Sequence, residues 1–203
     1  MTDTYDGIVL AGGRARRMGG VSKGALEVGG RRLFDIAVAA LAGARVTIAV
    51  GTPLAAEDAA SAAGSLRWTR EDPPGGGPVA ALAAGLALAS AARVIVLAGD
   101  LPFVTPAVVA LLTASDPDAV ATIAVDGDGR DQPMLGCYST AALRGALPID
   151  PAGQSMRSVL RELTTIGPVT RVAILGTPPP TLDCDTEADL RTARSYDRRK
   201  EPV

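Results

Sequence analysis

The feature that most limits how this chain can fold lies near its beginning, where an apolar run ends in a turn rich in glycine. Residues 7–11 are Gly-Ile-Val-Leu-Ala, and the turn that follows, up to residue 24, contains five glycines, three arginines and one lysine. Glycines let the backbone bend at positive φ and bring its N–H groups close to a ligand. The segment therefore predicts a buried first strand that ends in a binding loop for a polyphosphate.

The lysine of this turn strengthens that prediction. The chain has 20 basic residues, but only Lys23 and Lys200 are lysines. An ammonium is a point charge on a flexible stem, whereas a guanidinium is a planar fork. The turn does not match G-x-x-x-x-G-K-[ST] or G-x-G-x-x-G, so a nicotinamide dehydrogenase fits poorly. On residue types alone, a flexible surface loop with scattered charges stays open as an alternative.

Composition excludes several classes of function. The chain has 203 residues and no histidine, which rules out nucleophile systems that use histidine and metal sites ligated by it. A formal net charge of −2 argues against nucleic acid or an anionic membrane as the main partner. The acidic N-terminus is unlike a signal peptide, and no apolar run is long enough to span a membrane. Two distant cysteines, Cys137 and Cys184, predict buried free thiols and a cytoplasmic protein.

Short strands alternate with helices along the chain, which predicts a single-domain α/β fold. We expect a three-layer α/β/α sandwich with a mostly parallel, Rossmann-like sheet, a domain over residues 1–196 and a charged flexible tail over 197–203. The segment Asp131-Gln132-Pro133, after the acidic turn at 126–129, suggests a crossing back over the sheet toward a smaller second lobe. The predicted strands are 7–11, 45–50, 66–69, 93–98, 119–125, 133–138 and 170–175. The predicted helices are 33–42, 53–63, 78–90, 106–114, 139–146, 155–163 and 186–195.

Ligands bind beyond the carboxyl ends of the strands in such sheets, and two acidic residues follow predicted strands. Asp100 comes directly after the apolar strand 93–98, where one carboxylate together with substrate phosphates can hold Mg²⁺. Asp72 lies in an irregular loop rich in proline and glycine, which offers polar groups to a nucleobase or ribose. A helix-capping role for Asp100 and simple turn chemistry around Asp72 are the plainer alternatives.

Several segments together resemble the molybdenum cofactor guanylyltransferases of the nucleotidyltransferase superfamily. They are Leu10-Ala11-Gly12-Gly13, Arg17-Met18-Gly19 with Lys23-Gly24, Gly77-Pro78-Val79-Ala80-Ala81-Leu82, Gly99-Asp100-Leu101-Pro102-Phe103, Gln132-Pro133-Met134-Leu135, Ser155-x-Arg157 and Asp185-Thr186-Glu187-x-Asp189-Leu190. The resemblance covers nearly the whole chain in order. It implies that the chain transfers GMP from GTP to the phosphate of molybdopterin and releases pyrophosphate, with Mg²⁺ as cofactor and molybdoenzyme maturation proteins as further partners.

The resemblance also implies roles for individual residues. The backbone groups of four residues would contact the nucleotide: Leu10, Ala11, Gly12 and Gly13. Lys23 and Arg17 would neutralise the phosphates, Asp72 would face the guanosine and Asp100 would bind Mg²⁺. Ser155 and Arg157 match a segment on the pterin side. The chain departs from the family at Ser22, where an aspartate is usual, and at Gly51, where an asparagine is common near the ribose.

The resemblance leaves the choice of base and acceptor open. Asp183 and Asp185 stand where many guanylyltransferases have asparagines, and acids there resemble the related cytidylyltransferases and phospholactate guanylyltransferases. Against a cytidylyltransferase, the loop is Leu-Ala-Gly-Gly rather than Leu-Ala-Ala-Gly, so guanine is favoured. A nucleotide-binding homologue without catalytic activity is the third alternative. A phosphate acceptor is already ionised at neutral pH, so the reaction needs no general base.

Overall fold

A single mixed sheet forms the centre of the protein. The computed structural model describes residues 4–12, 14–15, 21–54 and 66–198. Its strands are β1 (Tyr5–Leu10), β2 (Arg14–Ala15), β3 (Val21–Ser22), β4 (Glu27–Val28), β5 (Arg31–Arg32), β6 (Thr47–Val50), β7 (Leu66–Thr69), β8 (Arg93–Ala98), β9 (Ala121–Val125), β10 (Asp131–Ser139) and β11 (Val169–Ala173). Seven of them pair in the order β11-β9-β10-β8-β1-β6-β7. All seven predicted strands are present in this sheet, which confirms their prediction.

The sheet is mostly parallel, as predicted. Strand β1 pairs in parallel with β6 and β8, β6 with β7, and β9 with β11. Among the seven strands that the structure describes in this sheet, only β10 runs antiparallel to its neighbours, β8 and β9. Residues 126–130 form the turn between β9 and β10, and both strands lie in the same sheet. The predicted crossing toward a second lobe is therefore wrong, because the acidic turn only closes a hairpin.

Helices cover both faces of the sheet, which confirms the three-layer prediction. The helices of the described residues are α1 (Leu33–Ala40), α2 (Pro78–Leu88), α3 (Pro106–Ala114), α4 (Thr140–Gly145), α5 (Met156–Ile166) and α6 (Glu187–Arg198). Helices α1, α3 and α6 pack on one face, and α2, α4 and α5 pack on the other. None of these helices is long and apolar enough to cross a membrane. The predicted helix at 53–63 lies mostly outside the described residues.

Strand β8 shows how the core is built. Val94 and Val96 face the helix layer of α2, α4 and α5, whereas Ile95 and Leu97 face the layer of α1, α3 and α6. All four side chains are completely buried. A strand covered on both faces needs apolar residues at every position, and this explains the unbroken apolar run in the sequence.

A buried carboxylate closes the amino-terminal edge of the sheet. The side chain of Asp6 is completely buried, and its Oδ2 accepts hydrogen bonds from the backbone N–H groups of Ser90 at 2.6 Å and Ala91 at 2.8 Å. Arg45 Nε donates to Asp6 Oδ1 at 3.2 Å. Burial by itself would raise the pKa of Asp6, but the hydrogen bonds from Arg45 and the two N–H groups hold it below its ordinary value. The buried carboxylate is thus both paired with a cation and hydrogen-bonded.

Two further predictions concern buried side chains. Cys137 and Cys184 are both buried and free, as predicted. Burial raises the pKa of Cys184 to about 12, and the nearby charge of Asp100 contributes to the shift. Trp68 stacks on Phe34 with ring centroids 4.9 Å apart and packs against the core. This half-buried tryptophan therefore extends the core at β7.

Candidate active site

An open cleft of about 950 Å³ lies across the carboxyl ends of four neighbouring strands, β8, β1, β6 and β7. Three kinds of surface line it: the backbone after β1, charged side chains after β3, β7 and β8, and the glycine-rich loop before α2. The lining includes Leu10, Ala11, Gly12, Ser22, Lys23, Gly51, Arg70, Glu71, Gly75, Gly77, Pro78, Asp100, Asp183 and Asp185. The predicted ligand edge of the sheet is therefore concave, and its lining combines polar and apolar groups.

Two glycines leave the backbone at the end of β1 bare. A Cβ atom at Gly99 would lie 3.0 Å from the carbonyl oxygen of Leu10, and one at Gly51 would lie 2.9 Å from the nitrogen of Gly12. Gly51 also has φ of +148°, which side chains rarely allow. The backbone at position 51 therefore has no room for a side chain. This explains why the chain has glycine there, where the family resemblance leads one to expect asparagine. The main chain of residues 10–12 faces the cleft.

The charged centre of the cleft joins three parts of the chain that are distant in sequence. Lys23 begins a short 3₁₀ helix, Lys23–Ala25, and its Nζ lies 2.9 Å from Asp100 Oδ2. The same ammonium donates a hydrogen bond to Asp185 Oδ1. The side chains of Lys23 and Asp100 are 21% and 15% exposed, whereas that of Asp185 is 58% exposed. One cation thus bridges two carboxylates at the end of β8.

The local charges change the pKa values in this cluster. Burial alone would lower the pKa of Lys23, but the charge of Asp100 and the hydrogen bonds to Asp185 and Asp100 raise it above its ordinary value. Lys23 therefore stays protonated at every physiological pH. Partial burial raises the pKa of Asp183, and the charges of Asp185 and Asp100 raise it further. Negative charge is in excess here, as expected of a site that attracts a cation.

These carboxylates suit a divalent ion that is shared with a substrate. Oxygen ligands favour Mg²⁺, which commonly uses one or two carboxylates together with phosphates. Asp100 and Asp185 already share one cation, the ammonium of Lys23, so they lie close enough to act on a single ion. Within the described ranges, no group of three or more acidic, cysteine or histidine side chains is placed to hold a metal alone. The fit therefore depends on ligands from a bound phosphate.

The predicted site residues are not all brought together. Leu10, Ala11, Gly12, Lys23 and Asp100 line one cleft. Gly13 and Arg17 lie outside the described residues, so their positions remain predictions.

Asp72 is exposed and is not among the residues that line the cleft. Its neighbour Glu71 does line it, and Glu71 Oε1 accepts a hydrogen bond from the N–H of Gly75 at 3.0 Å. No sequence motif indicates a role for Glu71. Since successive extended residues alternate in direction, a strand-end signal alone does not tell which of two adjacent acids faces inward.

The segment expected on the acceptor side lies beside this glycine-rich loop. Ser155 is the N-cap of α5, where its Oγ accepts a hydrogen bond from the N–H of Ser158. Arg157 is exposed and neither residue lines the cleft. The N–H of Gly153 donates to the carbonyl oxygen of Gly76 at 2.8 Å, so the two loops are directly connected.

The fold is shared with other solved proteins, one of which is named a nucleotidyl transferase. A solved nucleotidyl transferase from Methanothermobacter is similar over 98% of this chain and 99% of its own, with a TM-score of 0.80 and 22% identity. A Mycobacterium tuberculosis protein solved in complex with manganese is similar over 96% of this chain and 100% of its own, with a TM-score of 0.69 and 21% identity.

Sequence comparison is more specific. Residues 7–166 match the model of the MobA-like NTP transferase domain. The molybdenum cofactor guanylyltransferase of Bradyrhizobium sp. (strain ORS 278) is 33% identical over 168 residues, which cover 79% of this chain and 77% of that protein. The chain belongs to the MobA-like NTP transferase family, and it is a nucleotidyltransferase.

Proposed function

We propose that this enzyme transfers GMP from GTP to the phosphate of molybdopterin, releases pyrophosphate and forms molybdopterin guanine dinucleotide. The observation that carries the proposal is the ammonium of Lys23 between Asp100 and Asp185, beside the bare backbone of residues 10–12. This arrangement suits a triphosphate with a divalent ion. The likeness to the Bradyrhizobium guanylyltransferase supports guanine and molybdopterin as the substrates.

The chemistry requires positioning and charge neutralisation. A phosphate oxygen of the acceptor forms a bond to the α-phosphorus of GTP. The bond from that phosphorus to the bridging oxygen breaks, and pyrophosphate leaves with the electron pair. The nucleophile is already ionised, which agrees with a chain that has no histidine. Lys23 stabilises the negative charge that develops on the leaving group, and the N–H groups of the β1 loop orient the triphosphate.

The proposal also assigns the metal ligands, a second cation for the phosphates and the cellular setting of the reaction. Asp100, with Asp185 beside it, would hold Mg²⁺, which supplies charge neutralisation for the triphosphate when it is bound. A manganese complex of a structural relative supports a divalent ion in this fold. Arg17 is assigned as a second cation for the phosphates. We place the reaction in the cytoplasm, with molybdoenzyme maturation proteins as recipients of the product.

A related transferase is the second candidate. Asp185 lines the cleft as an acid, where many guanylyltransferases have an asparagine. This favours, as the alternative, a sibling that uses CTP or another phosphorylated acceptor.

Thermal unfolding with GTP, CTP, ATP and UTP, each with Mg²⁺, separates these candidates. A ligand at about 100 times its dissociation constant stabilises the fold by about 2.7 kcal/mol. We expect GTP to raise the melting temperature most. Equal or greater stabilisation by CTP would contradict the guanine assignment. Release of pyrophosphate from GTP with molybdopterin tests catalysis, and its absence in an otherwise GTP-binding protein would indicate a homologue without activity.

A further inference from the structure

We propose that Glu71, rather than its neighbour Asp72, recognises the nucleobase, by accepting hydrogen bonds from the N1–H and the 2-amino group of guanine. This inference rests on the proposed function, because it takes the nucleotide to be GTP. It assigns specificity to a side chain on which neither the family resemblance nor the sequence motifs depend.

The order of the strands places the base near Glu71. The cleft runs from Asp100, after β8, past the ends of β1 and β6 to Arg70 and Glu71, after β7. Neighbouring strands are about 4.8 Å apart, so these two ends of the cleft are separated by about 14 Å. An extended nucleotide can cover such a span. When its phosphates lie at Lys23 and Asp100, its base lies at the end of β7.

The state of the Glu71 carboxylate supports a role in recognition. Oε1 accepts a hydrogen bond from the N–H of Gly75, which fixes the side chain against the glycine-rich loop. Oε2 is enclosed and has no hydrogen-bond partner among the residues that the structure describes. An enclosed acceptor without a hydrogen-bond partner destabilises the protein. A donor supplied by a bound base would remove that penalty. Asp72 is exposed and lies outside the lining of the cleft.

The chemistry of a carboxylate selects among the bases. An ionised carboxylate can only accept hydrogen bonds. Guanine offers two adjacent donors on its Watson–Crick edge, N1–H and the 2-amino group. On the same edge cytosine and adenine each place a ring nitrogen acceptor beside their amino group, and uracil places carbonyl oxygens beside its single N–H. Glu71 therefore favours guanine and opposes the other three bases.

Binding requires a small movement of the loop. Because Oε2 is enclosed in the ligand-free structure, the base reaches it only if residues 72–76 shift. Gly75 and Gly77 have φ of +88° and +90°, and a Cβ atom at either would have nothing within 4 Å. The loop thus has space to adjust, and its hydrogen bond from Gly75 to Glu71 can be kept during the shift.

The test compares GTP with ITP, which lacks only the 2-amino group. We would measure binding of the α,β-methylene analogues of both nucleotides with Mg²⁺ by titration calorimetry. In the unchanged protein, the GTP analogue should bind about 10-fold more tightly than the ITP analogue, because one hydrogen bond to a charged acceptor is lost. Glu71→Gln keeps the shape and one acceptor oxygen for Gly75. This variant should bind the GTP analogue about 10–100-fold more weakly, with a GTP-to-ITP ratio near one.

The ratio of the affinities for the GTP and ITP analogues separates base recognition from structural damage. Structural damage would weaken the binding of both analogues equally. The matched control is Asp72→Asn, which should keep the ratio of the unchanged protein. A normal ratio in Glu71→Gln would overturn the assignment of Glu71, and loss of the ratio in Asp72→Asn would assign the role to Asp72. If the unchanged protein bound the CTP analogue more tightly than the GTP analogue, the proposed function itself would fail, and the assignment of Glu71 with it.

Discussion

Replacing Lys23 with methionine should allow the acidic edge of the cleft to bind a divalent cation in the absence of nucleotide. In the ligand-free protein the ammonium of Lys23 bridges Asp100 and Asp185, so a metal ion must displace it from both carboxylates. Methionine is similar in length and has no charge. The variant therefore leaves the two carboxylates together and without their cation.

The size of the effect follows from the ion pair. Two unit charges 4 Å apart interact by about 1 kcal/mol in water and by about 4 kcal/mol at an effective dielectric constant of about 20. Lys23 and Asp100 are 21% and 15% exposed, so their environment lies between these limits. A gain of about 2 kcal/mol corresponds to a roughly thirtyfold increase in affinity for the metal.

Electron paramagnetic resonance of Mn²⁺ measures this affinity directly, because the signal of the free ion decreases on binding. Arg70→Met is the matched control, since it removes a cation from the other end of the same cleft. The affinity of this variant for Mn²⁺ should change by less than about threefold, because charges separated by more than a Debye length are strongly screened. Adding Asp100→Asn to Lys23→Met should abolish the gain. If Lys23→Met bound Mn²⁺ no better than the unchanged protein, the bridging ammonium would not control access to the carboxylates.

Three further outcomes can be measured. Lys23→Ala should lower kcat about 10²–10³-fold with a smaller change in KM for GTP, and Lys23→Arg should recover only part of the loss. An effect of Lys23→Ala on KM alone would show that Lys23 contributes only to binding of the ground state. Asp100→Asn should lower turnover by orders of magnitude without changing the melting temperature by more than a few degrees; normal turnover at limiting Mg²⁺ would place the metal elsewhere. Asp6→Asn should destabilise the fold by about 3 kcal/mol in urea unfolding at pH 7, whereas Asp128→Asn, in an exposed ion pair, should cost less than about 0.5 kcal/mol. Since the pKa of Asp6 is below its ordinary value, its stabilisation is present above about pH 4 and is lost as the pH falls through that lowered pKa, so the difference from Asp6→Asn should shrink under acid. A difference that stayed constant down to pH 3 would contradict this role of the ionised carboxylate.

The regular elements could be predicted because each leaves a pattern within a few residues. The apolar run of β8 indicates a strand covered on both faces, and its two faces do belong to different core clusters. By contrast, β2 to β5 have two residues each, too few for any periodicity to show. The 3₁₀ helix that begins at Lys23 was missed for the same reason.

The candidate site was predictable only in part. The sequence indicates that Lys23 and Asp100 both lie near strand ends, and parallel strands bring such ends to one edge. The contact of Lys23 with Asp185, 162 positions away, depends on how the chain after β11 returns to the cleft. No local pattern encodes that return. Which of the acids at 71 and 72 faces inward depends likewise on the path of one loop.

The glycine at position 51 makes the order of substitutions at the cleft matter. A side chain there would collide with the backbone of residues 11 and 12, which the nucleotide loop presents to its ligand. An asparagine could be introduced there without a collision only after that backbone had moved. Any side chain at position 51 therefore requires a second change that first moves residues 11 and 12.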